Sequence, residues 1–441
     1  MSLSDAMSTS PSPPSPPSRK ESQLGAKCST DTRDSATASR TSTEEQPMRS
    51  MVRMLGMQSR SVCGYCKTID GSSCYMLESL RLSCESYQGL IDRGWRRSGD
   101  LLYLTDHADS CCCYYPVRTR TLDFVSGSSD KRVLRRWRRR FGATCIDNEL
   151  ADTVCISEEQ QLKIVIESTG YSDEKYRVFE KYQRTIHNDD TTPERFSSFL
   201  CMSPLVHHHC GQDLLSQQEI SQDAEHLRTL LPHGLGSYHM CYYIDGALVA
   251  VGVIDVLPRC ISSVYLFYDP DYSDLSLGSF SALREIALVR QLHRYIPSIE
   301  YYYPGYYVPG CSKMTYKSRW RPAEMLDLIS YRWIPIERCL QRIADYSDFC
   351  TFDPDLDSRG IVRKQGQVLK DAAPAFYMPK QALDNDTAGL VVWILVNGRE
   401  MRIRPLLVSD LAAVSTSYEH VALQAYAAIG KDLARSMVIL V

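Results

Sequence analysis

Two groups of cysteines have the spacing of metal ligands. Cys63 and Cys66 form a Cys-x-x-Cys pair, and Cys111, Cys112 and Cys113 stand together further along the chain. Thiolates arranged in this way can share one zinc ion or an iron–sulfur cluster. Adjacent cysteines suit a cluster better than a tetrahedral zinc site, so we expect an iron–sulfur cluster, with zinc as the alternative. A redox-active thiol pair and reduced cysteines in a small core are the other interpretations.

A basic and aromatic segment predicts contact with nucleic acid. Residues 131–140 read KRVLRRWRRR, and Arg96 and Arg97 follow Trp95 upstream. Basic side chains attract phosphates and aromatic rings stack on exposed bases, which weakly favours RNA over DNA. A solvated helix face or a nuclear-localisation patch gives the same pattern. The candidate contacts are Arg96, Arg97, Lys131, Arg135 and Arg136.

Residues 244–292 predict the elements of a binding cleft. The apolar runs 247–254 and 261–268 indicate an antiparallel hairpin. A loop rich in Asp, Ser and Gly follows, and a 3.6-residue apolar period after Gly278 and Ser279 predicts a helix. The first-turn amides of a helix are unpaired, so such a junction can hold an anionic or carbonyl group.

Composition limits the class of protein. The chain has 441 residues, of which 44% are hydrophobic and 23% charged, enough for two or three domains with a full core. Its 17 cysteines are odd in number and irregularly spaced, which favours a reducing cytoplasmic or nuclear compartment over a disulfide framework. The longest apolar runs fall far short of the ~20 residues that span a bilayer, so no membrane association is expected.

Shifts in composition divide the chain. The first residues are rich in Ser, Thr and Pro and too poor in apolar side chains to fold. Alternating strand and helix patterns in the second half indicate an α/β or α+β domain. We expect a disordered tail at 1–57, a Cys-rich domain at 58–145, a linker at 146–163, a strand-and-helix domain at 164–353 and a C-terminal extension at 354–441.

Long stretches of the chain match a known family in order. They include SVCGYCKT, YQGLIDRGWRRSGDLLY, KYQRTIHNDD and LPRCISSVYLFYDPDYSDLSLG. Through these stretches, residues 61–353 resemble the eukaryotic arginyl-tRNA protein transferases. The resemblance implies an α+β fold with a GNAT-like (acetyltransferase-like) C-terminal domain and a smaller Cys-rich N-terminal domain that binds an iron–sulfur cluster or zinc. Carried over by motif, the ligands are Cys63, Cys66, Cys111 and Cys112. Because Cys113 stands where the family usually has proline, a Cys112/Cys113 set is the alternative.

The resemblance also implies an activity. Such an enzyme transfers arginine from arginyl-tRNA to the N-terminal α-amine of proteins that begin with Asp, Glu or oxidised Cys, and the product enters the N-degron branch of ubiquitin-dependent degradation. The partners are then arginyl-tRNA and these protein substrates, and we expect a monomer. The alternative is a non-catalytic RNA-binding or redox-sensing protein on the same scaffold. Binding of coenzyme A is poorly supported, since the loop before the predicted helix lacks a Gly-rich signature.

The implied reaction sets requirements that particular residues can meet. An α-amine with a pKa near ~8 must lose a proton, and a carboxylate or histidine can accept it. The catalytic candidates are Asp269, Asp271, Glu285 and His187. Asp269 and Asp271 can instead hold the arginine side chain, and the sequence does not divide these roles. The acidic residue of the acceptor needs a cation, and tyrosines can wall the pocket. The substrate-binding candidates are Arg284, Lys313, Lys317, Arg319 and Tyr303.

Overall fold

A computed structural model gives the fold of residues 49–107, 109–142, 162–207, 227–228, 230–345, 349–357, 391–396, 402–407 and 416–440. Most of the expected tail and linker, and much of the C-terminal extension, lie outside these residues. The chain is a mixed α and β protein. None of the helices in these ranges combines the length and the apolar character that crossing a membrane requires.

The described strands form two sheets of eight strands each. The strands are β1 Ser50–Ser61, β2 Ser72–Ser83, β3 Arg96–Ser98, β4 Leu101–Thr105, β5 Tyr115–Arg120, β6 Leu162–Ser168, β7 Leu205–Val206, β8 Gly236–Ile244, β9 Ala247–Val256, β10 Cys260–Tyr268, β11 Tyr301–Tyr307, β12 Ala323–Leu326, β13 Trp333–Pro335, β14 Val391–Val396, β15 Arg402–Leu407 and β16 Met437–Leu440.

Helices cover the sheets. They are α1 Cys84–Ile91, α2 Ser128–Phe141, α3 Asp173–Tyr182, α4 Pro193–Phe196, α5 Leu277–His293, α6 Ser312–Thr315, α7 Ile336–Asp345, α8 Pro354–Asp357, α9 Thr416–Ile429 and α10 Lys431–Ser436. Helix α3 continues into a π-helical turn at Gln183–His187, and a 3-10 turn at Pro270–Leu275 precedes α5.

The first sheet joins the two ends of the described chain. Its order is β15-β14-β16-β1-β2-β4-β3, with β7 paired to β2. Strand β1 pairs with β2 antiparallel and with β16 parallel, where Ser50 lies opposite Met437. Two expectations need correction. Residues 50–57 belong to β1 and not to a disordered tail. The C-terminal extension is not separate from the Cys-rich segment, because its described strands β14, β15 and β16 complete the sheet of that segment.

The second sheet has the order β13-β12-β5-β11-β10-β9-β8-β6. The expected hairpin is confirmed as β9 and β10, which pair antiparallel. Strand β5 comes from the predicted Cys-rich domain but pairs with β11 and β12. Helix α2 also comes from that segment, and its Trp137 ring stacks on Phe280 of α5 with centroids 3.7 Å apart. The expected boundary near residue 145 therefore does not separate two structural units.

Strands β10 and β11 are paired only at one end. They run parallel, and Cys260–Ser262 lies opposite Tyr301–Tyr303. No further pairs join them, and a β-bulge interrupts β10 between Ser263 and Tyr265. Because β10 and β11 are central strands, the end of their pairing leaves an opening within the sheet.

The two faces of the second sheet carry different elements. Helix α5 covers one face, where a Cβ atom added to Gly252 would lie 3.3 Å from Oε1 of Glu285. Helix α3 covers the other, where the Phe179 ring lies edge-on to Phe267 at 5.3 Å. The first sheet packs on this second face as well, since Arg97 of β3 is bonded to Asp255 of β9. We call these the α5 face and the α3 face.

Candidate active site

A small cavity lies at the opening between β10 and β11, on the α5 face. Its volume is about 50 Å³. The side chains that define it come from β10, α5, β11 and the turn after α6: they include Ser263, Ser281, Glu285, Tyr302, Lys317 and Trp320. It is therefore built from elements distant in sequence, at the place where strand pairing stops.

Glu285 is the carboxyl group of this cavity. The Glu285 residue is 1% exposed, and its Oε1 atom accepts a hydrogen bond from the Ser281 hydroxyl at 2.8 Å. Tyr242 donates in turn to the Ser281 oxygen at 3.2 Å. Burial raises the pKa of Glu285 above its usual range, and hydrogen bonding by Ser281, Tyr302 and Ser263 opposes this rise only in part. Glu285 is thus disposed to keep a proton that an exposed glutamate would lose.

Lys317 is the amine of the same cavity. The residue is 6% exposed, and its Nζ atom lies against Gly305, where an added Cβ atom would be 2.9 Å away. Gly305 has φ of 107°, a conformation that glycine adopts without strain. Within the described residues, Nζ makes no ion pair or hydrogen bond. Burial, assisted by the charge of Arg96, lowers the pKa of Lys317 to about 7, so a large share of this amine is neutral near pH 7.

Asp269 and Asp271 do not line the cavity. Both form ion pairs with Lys181 of α3, at 2.6 Å and 2.7 Å. Asp269 also accepts a hydrogen bond from the Asp271 amide at 3.0 Å, which fixes the turn after β10. Their expected placement in the cleft is therefore corrected: both carboxylates pair with Lys181, outside the set of residues that line the small cavity.

His187 lies at the end of the π-helical turn that follows α3. Its ring contacts Tyr182 edge-on at 5.3 Å. Burial, followed by the charge of Lys313, lowers the pKa of His187 to about 4. The imidazole is neutral at pH 7, but it is not among the groups that line the cavity.

The remaining substrate-binding candidates are dispersed. The Tyr303 hydroxyl donates to Asp92 at 2.7 Å on the α3 face, and Tyr303 does not line the small cavity. Arg319 lies 3.5 Å from Asp130, Arg284 is buried on α5, and Lys313 is exposed. Of the predicted catalytic and substrate-binding residues, the cavity brings together only Glu285 and Lys317. Tyr302 is one of the tyrosines expected to wall a pocket, whereas Ser263, Ser281, Tyr316 and Trp320 were not predicted, and their only signal was their position within the matched stretches.

Helix α2 presents the basic face that the sequence predicts. Its apolar side chains are buried, and Trp137 donates to the Leu275 carbonyl at 2.9 Å. Lys131 and Arg135 are exposed. Arg136 is exposed too, and it donates to the Ser276 hydroxyl at 2.8 Å and to the Asp274 carbonyl. The basic face therefore lies beside the start of α5, on the same side of the sheet as Glu285.

Arg96 and Arg97 were wrongly predicted to contact tRNA. Both are buried between the sheets. Arg97 makes two bonds of 2.7 Å to the carboxylate of Asp255, and Arg96 donates to the Trp95 carbonyl at 2.9 Å. A guanidinium group in such a position cannot reach a phosphate chain, because separating it from its partners would leave a buried charge unpaired.

Four cysteines come together at the start of β5. The sulfur atoms of Cys63, Cys66, Cys111 and Cys112 all lie within 4.8 Å of one another. Cys113 instead packs in an apolar cluster with Tyr115, which identifies the first set as the one able to hold a metal. Burial opposes ionisation of Cys66, but hydrogen bonds from Thr68, Cys111 and Cys112 outweigh it and lower its pKa to about 6. Clustered thiols with one ionised at pH 7 fit a cation.

Comparisons with known proteins agree on one family. The family model for the N terminus of arginine-tRNA-protein transferase matches residues 61–132, and the model for its C terminus matches residues 174–327. Together they cover about half of the chain.

Among curated relatives, arginyl-tRNA–protein transferase 1 of Drosophila melanogaster is 27% identical over 71% of this chain and 87% of its own length. The namesake in Saccharomyces cerevisiae is 34% identical over 57% of this chain, which spans only 51% of that relative. Aspartate/glutamate leucyltransferase of Pseudomonas putida is 26% identical over 62% of this chain and 93% of its own length.

Solved structures add no argument about the fold. The C-terminal domain of a putative lysylphosphatidylglycerol synthetase from Agrobacterium fabrum gives a TM-score of 0.24 at 10% identity, over 44% of this chain and 47% of its own. The two family models and the eukaryotic relatives, however, carry the same name. The chain belongs to the arginyl-tRNA–protein transferase family.

Proposed function

We propose that the protein transfers arginine from arginyl-tRNA to the N-terminal α-amine of proteins that begin with Asp, Glu or oxidised Cys. Membership of the family carries the proposal. The cavity at the opening of the sheet supports it, because a buried carboxyl and a buried amine with opposed pKa shifts are suited to proton transfer in both directions.

Glu285 and Lys317 would divide the acid and base work. The acceptor nitrogen attacks the carbonyl carbon of the arginyl ester, a C–N bond forms, and the bond between that carbon and the ribose oxygen breaks. The nitrogen loses one proton, which the neutral amine of Lys317 accepts. The departing ribose oxygen gains one proton, which the protonated carboxyl of Glu285 supplies. This assignment makes Lys317 a base, in place of the predicted contact to the acceptor.

The tRNA would approach over the α5 face. Exposed Lys131 and Arg135 on α2 lie on this side, and phosphate attraction by such groups needs no particular base sequence. We also propose that the second sheet is GNAT-like. Two parallel central strands that pair for three residues and then separate support this fold, and the opening between them would admit the tRNA terminus.

We propose that the four cysteines hold a metal centre. A tetrahedral zinc ion with bonds of ~2.3 Å sets sulfur atoms about 3.8 Å apart, and the observed limit of 4.8 Å supports one four-coordinate ion. An iron–sulfur cluster holds its cysteine sulfurs further apart, so the observed spacing of the sulfur atoms favours the zinc alternative. By holding a metal together, the four cysteines would join the loop of Cys63 and Cys66 to the segment before β5. Anaerobic purification followed by analysis of zinc, iron and sulfide distinguishes the two: one zinc without sulfide supports the ion, and iron with sulfide supports the cluster.

The proposed product carries an added N-terminal arginine, which would direct the acceptor to ubiquitin-dependent degradation in the cytoplasm or nucleus. Labelled arginyl-tRNA tests the reaction with two peptides that differ only in a first Asp or Gly. We expect label in the Asp peptide alone, and equal labelling of both, or none with competent tRNA, refutes the proposal. Leucyl-tRNA is the second donor to supply, since the Pseudomonas putida relative is a leucyltransferase matched over 93% of its length.

A further inference from the structure

A second, larger cavity lies on the other side of the opening. Its volume is about 300 Å³, and it is enclosed between the first sheet and the α3 face of the second. Tyr265 and Tyr306 contribute from the second sheet, and Tyr103 and Thr105 contribute from β4. Tyr265 belongs to the α3 face, because Gln183 after α3 donates to its hydroxyl at 3.0 Å.

The two cavities meet at the β-bulge. Val264 and Tyr265 line both of them. The small cavity opens towards α5, where Glu285 and Ser281 lie, and the large one opens towards the first sheet. The unpaired part of β10 is thus the partition between two spaces on opposite faces of one sheet.

We propose that the large cavity receives the first residue of the acceptor protein, so that the acceptor amine meets the arginyl ester at the bulge from the α3 face. The inference rests on the proposed function. The donor tRNA is assigned to the α5 face by the basic face of α2, which is anchored to α5 through Trp137 and Phe280. The large cavity lies on the opposite face, and it gives the second substrate an entrance separate from that of the tRNA.

The lining of the large cavity fits an acidic first residue. Among the lining residues that the structure describes, Arg97 is the only charged one and none is a carboxylate. Its Nε and Nη2 atoms are bonded to Asp255, whereas Nη1 makes only a 3.4 Å bond to the Gly99 carbonyl. Nη1, the Gln58 amide and the Thr105 hydroxyl can donate to a carboxylate. A first residue of Lys or Arg would find no counter-charge here.

The cysteine loop forms part of the wall. Gly64 and Tyr65 lie between Cys63 and Cys66, and both line the large cavity. The Tyr65 ring packs edge-on against Tyr114 at 4.7 Å, and Tyr114 lines the cavity too. The shape of the acceptor site therefore depends on how the metal-binding loop is held.

A bulky residue at the mouth of the large cavity tests the proposal. Val62 lines the cavity and is 58% exposed, so Val62→Trp narrows the entrance without disturbing the core. Ile69 is 77% exposed and is not a lining residue, which makes Ile69→Trp the matched control. We expect Val62→Trp to raise KM for the Asp peptide about tenfold while KM for arginyl-tRNA stays within about twofold. The control should leave both constants unchanged.

Equilibrium binding separates this inference from the proposed function. Titration of the full chain with the Asp peptide, without tRNA, should give saturable binding that Val62→Trp weakens about tenfold, and a Lys peptide should bind no better than background. A rise in KM for arginyl-tRNA equal to that for the peptide, or peptide binding that ignores Val62→Trp, overturns the assignment. Peptide binding without arginine transfer refutes the proposed reaction alone.

Discussion

At the scale of single residues, the proposed chemistry depends on two groups that the fold removes from water. Glu285 and Lys317 lie in the same cavity, and burial favours the uncharged form of each. A carboxyl that retains its proton can act as an acid at neutral pH, and an amine that releases its proton can act as a base. The two roles differ because burial raises the pKa of the carboxyl group and lowers the pKa of the amine.

Replacement of Glu285 by glutamine removes the acid while keeping the shape. We expect kcat to fall about 100-fold, within the usual range for loss of a general acid, with KM for both substrates nearly unchanged. Steady-state kinetics measures the split. Asp271→Asn is the comparison, since Asp271 is exposed and paired with Lys181. An equal loss in both variants would contradict the assignment of Glu285 and revive the prediction for Asp271.

Lys317 predicts a pH dependence. A base must be neutral, so kcat should rise as the pH passes through about 7, the lowered pKa of Lys317, and become level above it. Arg96 and Cys311 are the charged and titratable groups that influence this amine. We expect the rise in kcat near pH 7 to be absent in Lys317→Met, together with most of the activity. Lys313→Met removes an exposed lysine nearby and should preserve this rise. A rise that persists without Lys317 must come from the titration of another group.

At the scale of elements, α2 shows how one helix can serve packing and binding on separate faces. Val133, Leu134, Trp137 and Phe141 are buried, and the basic side chains between them point outward. An apolar stripe at helical spacing fixes the orientation of the helix on α5, and the charges then face outward on the same side of the sheet as the small cavity.

The double change of Lys131 and Arg135 to alanine should weaken binding of tRNA without loss of stability. We expect Kd for tRNA to rise about tenfold at moderate salt and the slope of log affinity against log salt to fall by about 2. Filter binding across a salt series measures both. Arg177→Ala removes an exposed arginine from α3 on the opposite face and is the control. Equal effects of the two variants would show that the charge acts without regard to face.

Local patterns in the sequence predict most elements of the site but not their assembly. Two apolar runs were enough to predict the β9 and β10 hairpin, and helical periodicity was enough to predict α5. Glu285 was a candidate beside Asp269 because both follow β10 in the chain. Their separation depends on Lys181 of α3 and on the divergence of β11, which are non-local contacts without a sequence signature. The burial of Arg97 likewise depends on Asp255, far along the chain.

At the scale of the whole molecule, the end of the described chain stabilises its beginning. Strand β16 lies parallel to β1, and Ile439 is fully buried. The indole nitrogen of Trp95 donates to the Ala428 carbonyl at 3.0 Å, which ties the end of α9 to the first sheet. That sheet forms one wall of the large cavity, so its integrity bears on the acceptor site.

Deletion of the residues after Ser436 removes β16 and uncovers an edge of β1. We expect a loss of several kcal/mol in the free energy of unfolding, because four buried side chains are removed. Chemical denaturation measures the change. Asp432→Ala, at an exposed position on α10, is the control and should alter stability by less than about 0.5 kcal/mol. A truncated protein as stable as the full chain would contradict the role given to β16.

The bulge in β10 decides which face of the sheet each later side chain occupies. Side chains alternate along a strand, so an unbroken β10 would place Tyr265 beside Ser263 on the α5 face. The one extra residue places Tyr265 opposite Val253 and Leu266 opposite Gly252. If Val264 instead took an ordinary paired place in the strand, the pairing after it would slip by one residue and these two side chains would exchange faces, with the sequence unchanged. Such a slip would turn towards the acceptor the side chains that now face the donor, and the reverse, without any change of residue.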